Sequence, residues 1–175
     1  MRSWKGHDHL FEALAQLRRD DLQLVIVGDG PRREHLHRLA DTLSLNKQIQ
    51  FIGQQANVIP WLQSLDLAVL PSYGNEGVPQ SLIQAMACGV TVLSTPIGAI
   101  KELIHDNETG RLTPPSNPAQ LAQAITELID HPETRASLSN RGNAFARAHY
   151  NIDDMLNQME TIFENSRRLS KKINI

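Results

Sequence analysis

The stretch Leu65-Asp66-Leu67-Ala68-Val69-Leu70-Pro71-Ser72-Tyr73-Gly74-Asn75-Glu76-Gly77-Val78-Pro79-Gln80-Ser81-Leu82 changes character twice. Leu65 to Leu70 is an apolar run of strand length, and Pro71-Ser72 ends it. Tyr73 to Val78 carries two glycines and reads as a loop. Pro79 has its φ pre-set for a helix start, and the helix it opens stops at Gly89. Val90 to Ser94 is then the next strand. Two strands joined through a helix form the unit from which parallel sheets are built.

Working outward, the same unit recurs. Upstream, Leu22 to Val27 is a strand ended by Gly28-Asp29-Gly30-Pro31. Pro31 opens a helix over about 31–43, with Leu36, Leu39, Ala40 and Leu43 as its buried stripe. Ile49 to Ile52 is a short strand ended by Gly53, and Val58 to Gln63 a short helix. Leu10, Leu14 and Leu17 recur at helical spacing over 8–18, with Asp8 as the expected N-cap. Downstream, Ala99 to Ile104 reads as a short helix and Gly110 to Thr113 as an edge strand. Asn117-Pro118-x-Gln120 has the form of an N-cap, an N1 proline and an N3 glutamine. Leu121, Ile125, Leu128 and Ile129 line the helix that follows, and helices near 133–148 and 152–169 close the chain. The alternation predicts an α/β fold: a doubly wound parallel sheet with helices on both faces. Its strands are unbroken apolar runs, as strands covered on both faces are.

Composition narrows the function classes. The chain has 175 residues, 41% hydrophobic and 21% charged, which excludes disorder. A net charge of -2 gives no general attraction to nucleic acid. The single cysteine, Cys88, excludes an intramolecular disulfide and a Cys-based zinc site. No apolar run approaches membrane-spanning length, and Met1 to His9 has no signal-peptide core. A reducing compartment, the cytoplasm, is expected. The last residues carry Arg167, Arg168, Lys171 and Lys172, so a domain over 1–165 is expected to end in a basic tail, 166–175. That tail is either a solvated terminus or a peripheral contact with an anionic membrane.

In open α/β sheets, ligands sit beyond the carboxyl ends of the strands. Two loops there carry chemistry. Gly28-Asp29-Gly30-Pro31 is either a tight turn or a place where backbone approaches a ligand. It is not a dinucleotide fingerprint, because Arg33 stands where the third glycine is needed. In the second loop Glu76 comes just before a helix start. Free N–H groups of that first turn, with the Ser81 hydroxyl, suit a diphosphate, and Glu76 suits a sugar. Helix capping by Glu76 or Ser81 is the plainer alternative. No metal site is expected: there is no Asp-x-Asp pair, and His7/His9 and His35/His37 are spaced two apart, off a common helix face.

These motifs together resemble the donor-binding half of family 4 retaining glycosyltransferases (glycosyl transferases group 1). The resemblance runs through Lys5-Gly6-His7-Asp8, Gly28-Asp29-Gly30-Pro31, Ile49 to Gly53, Asp66 to Ser72 and Glu76 to Gly89. Gly98-x-x-x-Glu102-Leu103-Ile104 and Gly110 continue it, so it covers about residues 2 to 165. It implies the C-terminal, Rossmann-like half of a GT-B fold, which binds a nucleotide sugar while a second domain binds the acceptor. It further implies that Glu76 meets the donor sugar and Lys5 the diphosphate. Gly28, Gly30 and Gly53, and the backbone of Gly77, Val78, Pro79, Gln80, Ser81 and Leu82, line the donor. The family's second glutamate, which takes the ribose hydroxyls, is replaced here by Gln84. An amide has one acceptor and a donor where a carboxylate has only acceptors, so weakened or retuned donor binding is expected. Arg2 is either the diphosphate's second cation or a solvated terminal residue.

The implied partners are a UDP-, GDP- or ADP-sugar and a saccharide or lipid-linked acceptor, with no cofactor or metal. Such enzymes serve polysaccharide or lipopolysaccharide assembly at the inner face of the membrane. A binding-only or vestigial donor domain, and a GT-B nucleotide-sugar epimerase, are the alternatives. One further expectation comes from the turn at Lys5-Gly6, which should follow a strand and has no room for one. That strand would be central, so its absence should leave two strand edges open to pairing with another chain, as in a truncated or excised piece.

Overall fold

The apolar runs form five strands among the described residues, and each is followed by a helix. The computed structural model describes residues 1–74 and 76–173, with side chains through Arg168. Lys171 and Lys172 of the basic tail, as side chains, and Asn75 of the site loop lie outside the described residues.

A single 3₁₀ turn, Ser3–Lys5, leads into α1 (His7–Leu17). The alternating part follows: β1 (Leu24–Val27), α2 (Arg33–Thr42), β2 (Ile49–Gly53), α3 (Ile59–Gln63), β3 (Leu67–Leu70), α4 (Gln80–Ala87), β4 (Thr91–Ser94), α5 (Ile100–Leu103) and β5 (Arg111–Leu112). Three helices close the chain: α6 (Pro118–Asp130), α7 (Pro132–His149) and α8 (Ile152–Ile173).

All strand pairs are parallel. Leu24 lies level with Ile49, Leu67 with Thr91, and Leu93 with Arg111. The sheet is nevertheless in two parts, β1–β2 and β3–β4–β5. Among the described residues the open edges next to this break are those of β1 and β3.

Local chemistry explains the boundaries. Asn117 caps α6, accepting from the Gln120 N–H at 3.1 Å, with Pro118 in the first turn. α4 ends in a Schellman motif: the Gly89 N–H bonds to Met86 and the Val90 N–H to Ala85, both at 2.9 Å. Two expectations are corrected. Asp8 does not cap α1; Gly6 holds that position, and Asp8 pairs with Arg32 at 2.7 Å and His35 at 3.3 Å, tying α1 to α2. Pro31 does not open α2. A separate turn closes first, from the Arg33 N–H to the Gly30 carbonyl at 3.1 Å.

The core lies on both faces of β4. Leu93 packs with Leu10 and Ala13 of α1 and with Leu121 and Ile125 of α6. Val92 points the other way, among Leu82 and Met86 of α4 and Ile100 and Leu103 of α5. α1 also turns Phe11 and Leu14 toward Ile26, Leu36 and Ile49, so it bridges the two sheets. Along α8, Ile152, Met155, Leu156, Met159, Ile162 and Phe163 are exposed. Among the described residues, no helix is long and apolar enough to cross a membrane.

Candidate active site at the carboxyl ends of β3 and β4

The loop leaving β3 is gripped by backbone from two other segments. Gly6 is left-handed, with φ 72°, and a Cβ there would overlap the Pro71 carbonyl oxygen. This close approach, with the Tyr73 N–H donating to the Trp4 carbonyl at 2.8 Å, brings Lys5 onto the loop. On the other side Gly98, with φ 55°, leaves no room for a Cβ against the Glu76 carbonyl oxygen.

Held in this way, the Glu76 carboxylate is buried, its side chain 5% exposed. Ser72 Oγ donates to Oε1 at 2.6 Å. Lys5 Nζ sits 2.8 Å from Oε1 and 3.0 Å from Oε2. Ser72 is itself fixed, since Thr95 Oγ1 donates to its carbonyl. Both hydroxyl residues are fully buried. The Lys5 side chain is 32% exposed, so its charge still reaches solvent. An ammonium has three N–H groups. Two oxygens of Glu76 engage it, which leaves donor capacity for another acceptor.

α4 follows the loop in the chain, at Gln80–Ala87. Pro79 is its N-cap and makes no side-chain cap. The first-turn N–H groups of Gln80 and Ser81 therefore remain as donors at the positive end of the helix. Lys5, Ser81 and Leu82 line a common cavity of about 230 Å³, together with His7 and Pro71. Burial, with a smaller contribution from the N-terminal ammonium, lowers the pKa of His7 to about 4. His7 is therefore neutral at pH 7.

The other residues singled out from the sequence lie around this centre. Gly77, Gln80 and Gln84 are exposed, Val78 is half-buried, and Pro79 and Leu82 are buried. Gly28 and Gly53 are joined by a 2.7 Å backbone bond at the ends of β1 and β2, and the Gly30 N–H bonds to Asp29 Oδ1 at 2.7 Å. The Arg2 guanidinium lies over the Trp4 ring, 5.8 Å from its centroid. Sequence reasoning missed Ser72 and Thr95 as supports of the carboxylate. Ser72 was visible only as a strand end.

Residues 1–145 match the family described as glycosyl transferases group 1. The chain belongs to that family. Among its group 1 relatives is the N-acetyl-alpha-D-glucosaminyl L-malate synthase of Bacillus anthracis, 30% identical over 143 residues, or 82% of this chain and 37% of that one. The crystal structure of Anabaena Alr3699/HepE in complex with UDP-glucose superposes with a TM-score of 0.90 at 25% identity, covering 94% of this chain and 46% of that one. The C-terminal domain of LpcC, a group 1 family protein of Francisella tularensis, gives 0.77 at 31% identity, covering 87% and 83%. The chain spans about two fifths of the length of the curated relatives it matches. The fold is accordingly the Rossmann-like half of a GT-B glycosyltransferase.

Proposed function

We propose that this chain holds the nucleotide diphosphate of a sugar donor and serves retaining, metal-independent transfer of the sugar to a saccharide or lipid-linked acceptor. The observation that carries the reading is that Lys5, paired with Glu76, lines one cavity with Ser81 of the uncapped first turn of α4. When the bond from the anomeric carbon to the diphosphate oxygen breaks, negative charge grows on the diphosphate. The remaining N–H of Lys5 and the N–H groups of Gln80 and Ser81 are fixed donors for that charge. Glu76, held by Lys5 and Ser72, keeps acceptor capacity for a sugar hydroxyl. Ser72 acts as a positioning residue through Glu76.

UDP is the first base to test, since UDP-glucose occupies the Anabaena relative. Thermal shift and calorimetry with UDP, GDP and ADP should show one nucleotide stabilising the chain, because a ligand that binds only the folded state raises its stability. Lys5→Met should remove that shift. A chain indifferent to all three nucleotides overturns the reading.

Gln84, exposed on α4, is assigned to the ribose hydroxyls. Gln84→Glu restores a second acceptor and a charge-assisted bond. It should tighten nucleotide binding by up to about tenfold, on the order of 1 kcal/mol. Unchanged or weaker affinity removes the ribose role from that residue.

A further inference from the structure

Every described side chain of α8 from Ile152 to Arg168 is exposed, whereas α6 and α7 each bury apolar side chains. Ile152, Met155, Leu156, Met159, Ile162 and Phe163 recur at helical spacing and share one face. They are between 43% and 65% exposed. Apolar residues scattered singly need no partner, but a continuous apolar face marks an interaction surface.

α8 is nevertheless a well-started helix. Asn151 accepts from the Asp154 N–H at 2.8 Å and donates to the Asp154 carboxylate at 2.6 Å. Asp153 and Asp154 in the first turn suit the positive end of the helix dipole. Such local interactions start a helix, but most helical stability in proteins comes from burying an apolar face. The described residues leave that face of α8 uncovered.

Charge says which cover fits. The acidic residues of α8, Asp153, Asp154, Glu160 and Glu164, all precede its basic ones, Arg167, Arg168, Lys171 and Lys172. A helix divided in this way is complementary to a reversed copy of itself. Two parallel copies would set acid beside acid and base beside base. Two antiparallel copies set the acidic half of each against the basic half of the other, with their helix dipoles opposed. An anionic bilayer fits less well, because Asp153 and Glu160 stand among the apolar residues and are repelled by it.

We propose that the apolar face of α8 takes α8 of a second copy of this chain, in antiparallel orientation. Asp153 and Arg167 stand two heptads apart and border the same side of the apolar face. When that border meets its own copy, Asp153 faces the second copy's Arg167, and Met159 lies level with its Ile162. Two-fold symmetry makes each of these contacts twice. Glu160, midway along the border, comes near its own copy, which opposes the two attractive pairs. The apolar side chains supply the affinity, and the exposed charges fix direction more than strength. A contact confined to one pair of helices is small, so the dimer is weak and concentration-dependent. The pairing uses no nucleotide and is independent of the donor-site reading above.

Sedimentation velocity of the full chain between about 1 and 100 µM should show dimer at the upper end and monomer at the lower. Met159→Glu changes an exposed side chain and leaves the core of the domain untouched. It should weaken the dimer at least about tenfold, since it puts an unpaired charge in the apolar contact. Monomer at every concentration overturns the proposal, as does a dimer that Met159→Glu leaves unchanged. Direction is read by cross-linking with Cys88→Ser in place. A chain carrying Gln158→Cys, mixed with one carrying Asn165→Cys, should give the mixed disulfide on mild oxidation. Each variant joined only to itself, as in a parallel pair, overturns the antiparallel arrangement. Flotation with vesicles of anionic phospholipid supplies the last arm. Binding that Met159→Glu abolishes, by a chain that stays monomeric in solution, overturns the proposal in favour of a bilayer.

Discussion

β4 reads Thr-Val-Leu-Ser and β1 reads Leu-Val-Ile-Val. By composition β1 should be the buried strand. Instead all four residues of β4 are buried, whereas of β1 only Ile26 is. The difference lies in their neighbours. β4 has β3 on one edge and β5 on the other, with α1 and α6 above and α4 and α5 below. β1 has β2 on one edge and, among the described residues, an open cavity along the other. The polar residues of β4 are tolerated because they are paired: Thr91 donates to the Arg135 carbonyl at 2.7 Å and Ser94 to the Leu70 carbonyl at 2.6 Å.

The same contrast between a closed and an open side reaches the ion pair. The Glu76 side chain belongs to the closed part and is 5% exposed, whereas that of Lys5 lines the open cavity and is 32% exposed. Removing the lysine leaves a buried carboxylate with only Ser72 for company. Lys5→Met should therefore destabilise by about 3 kcal/mol, the cost of an uncompensated buried charge. Glu76→Gln leaves an ammonium that can turn to water, and should cost less than about half of that. Urea unfolding of both variants at pH 7 measures the difference. Equal costs would mean that the two sides of the site are equally closed.

A like-for-like pair tests the strands themselves. Val92 of β4 is 0% exposed, and Val25 of β1 is half-buried beside the open cavity. Val92→Ala should cost about 2 kcal/mol, as transfer and cavity terms add in a packed core. Val25→Ala should cost under about 1 kcal/mol, because its side chain loses less when it has less to lose. A large cost at Val25 would break the comparison.

Most of the fold was legible because parallel strands and their helices announce themselves locally. Leu67 to Leu70 is an apolar run between turn residues, and Asn117-Pro118 marks a helix start with no help from elsewhere. The split sheet was foreshadowed by the missing room before Lys5-Gly6. What escaped depends on residues far apart in sequence. Asp8 looks like a cap until Arg32, 24 positions on, claims it. Resemblance brought Lys5 and Glu76 to the donor in separate roles, but their direct pairing across 71 positions required the folded chain. Gly98 stood only as one letter of a motif, and its reason is a contact with the Glu76 backbone.

A pH-dependent effect comes from His7, which lines the same cavity as Lys5. Its pKa falls to about 4 from the model-compound value of 6.5, first through burial, then through the N-terminal ammonium; Lys5 and Arg32 add to the lowering and Asp8 opposes it. Between these two values the unfolded chain binds a proton that the folded chain does not. Stability from this group is therefore complete above pH 6.5 and is lost progressively as pH falls toward 4. From pH 7 to 5.5 the loss should be about 1 kcal/mol, and His7→Gln should remove that part of the pH dependence. Urea midpoints across this range measure it.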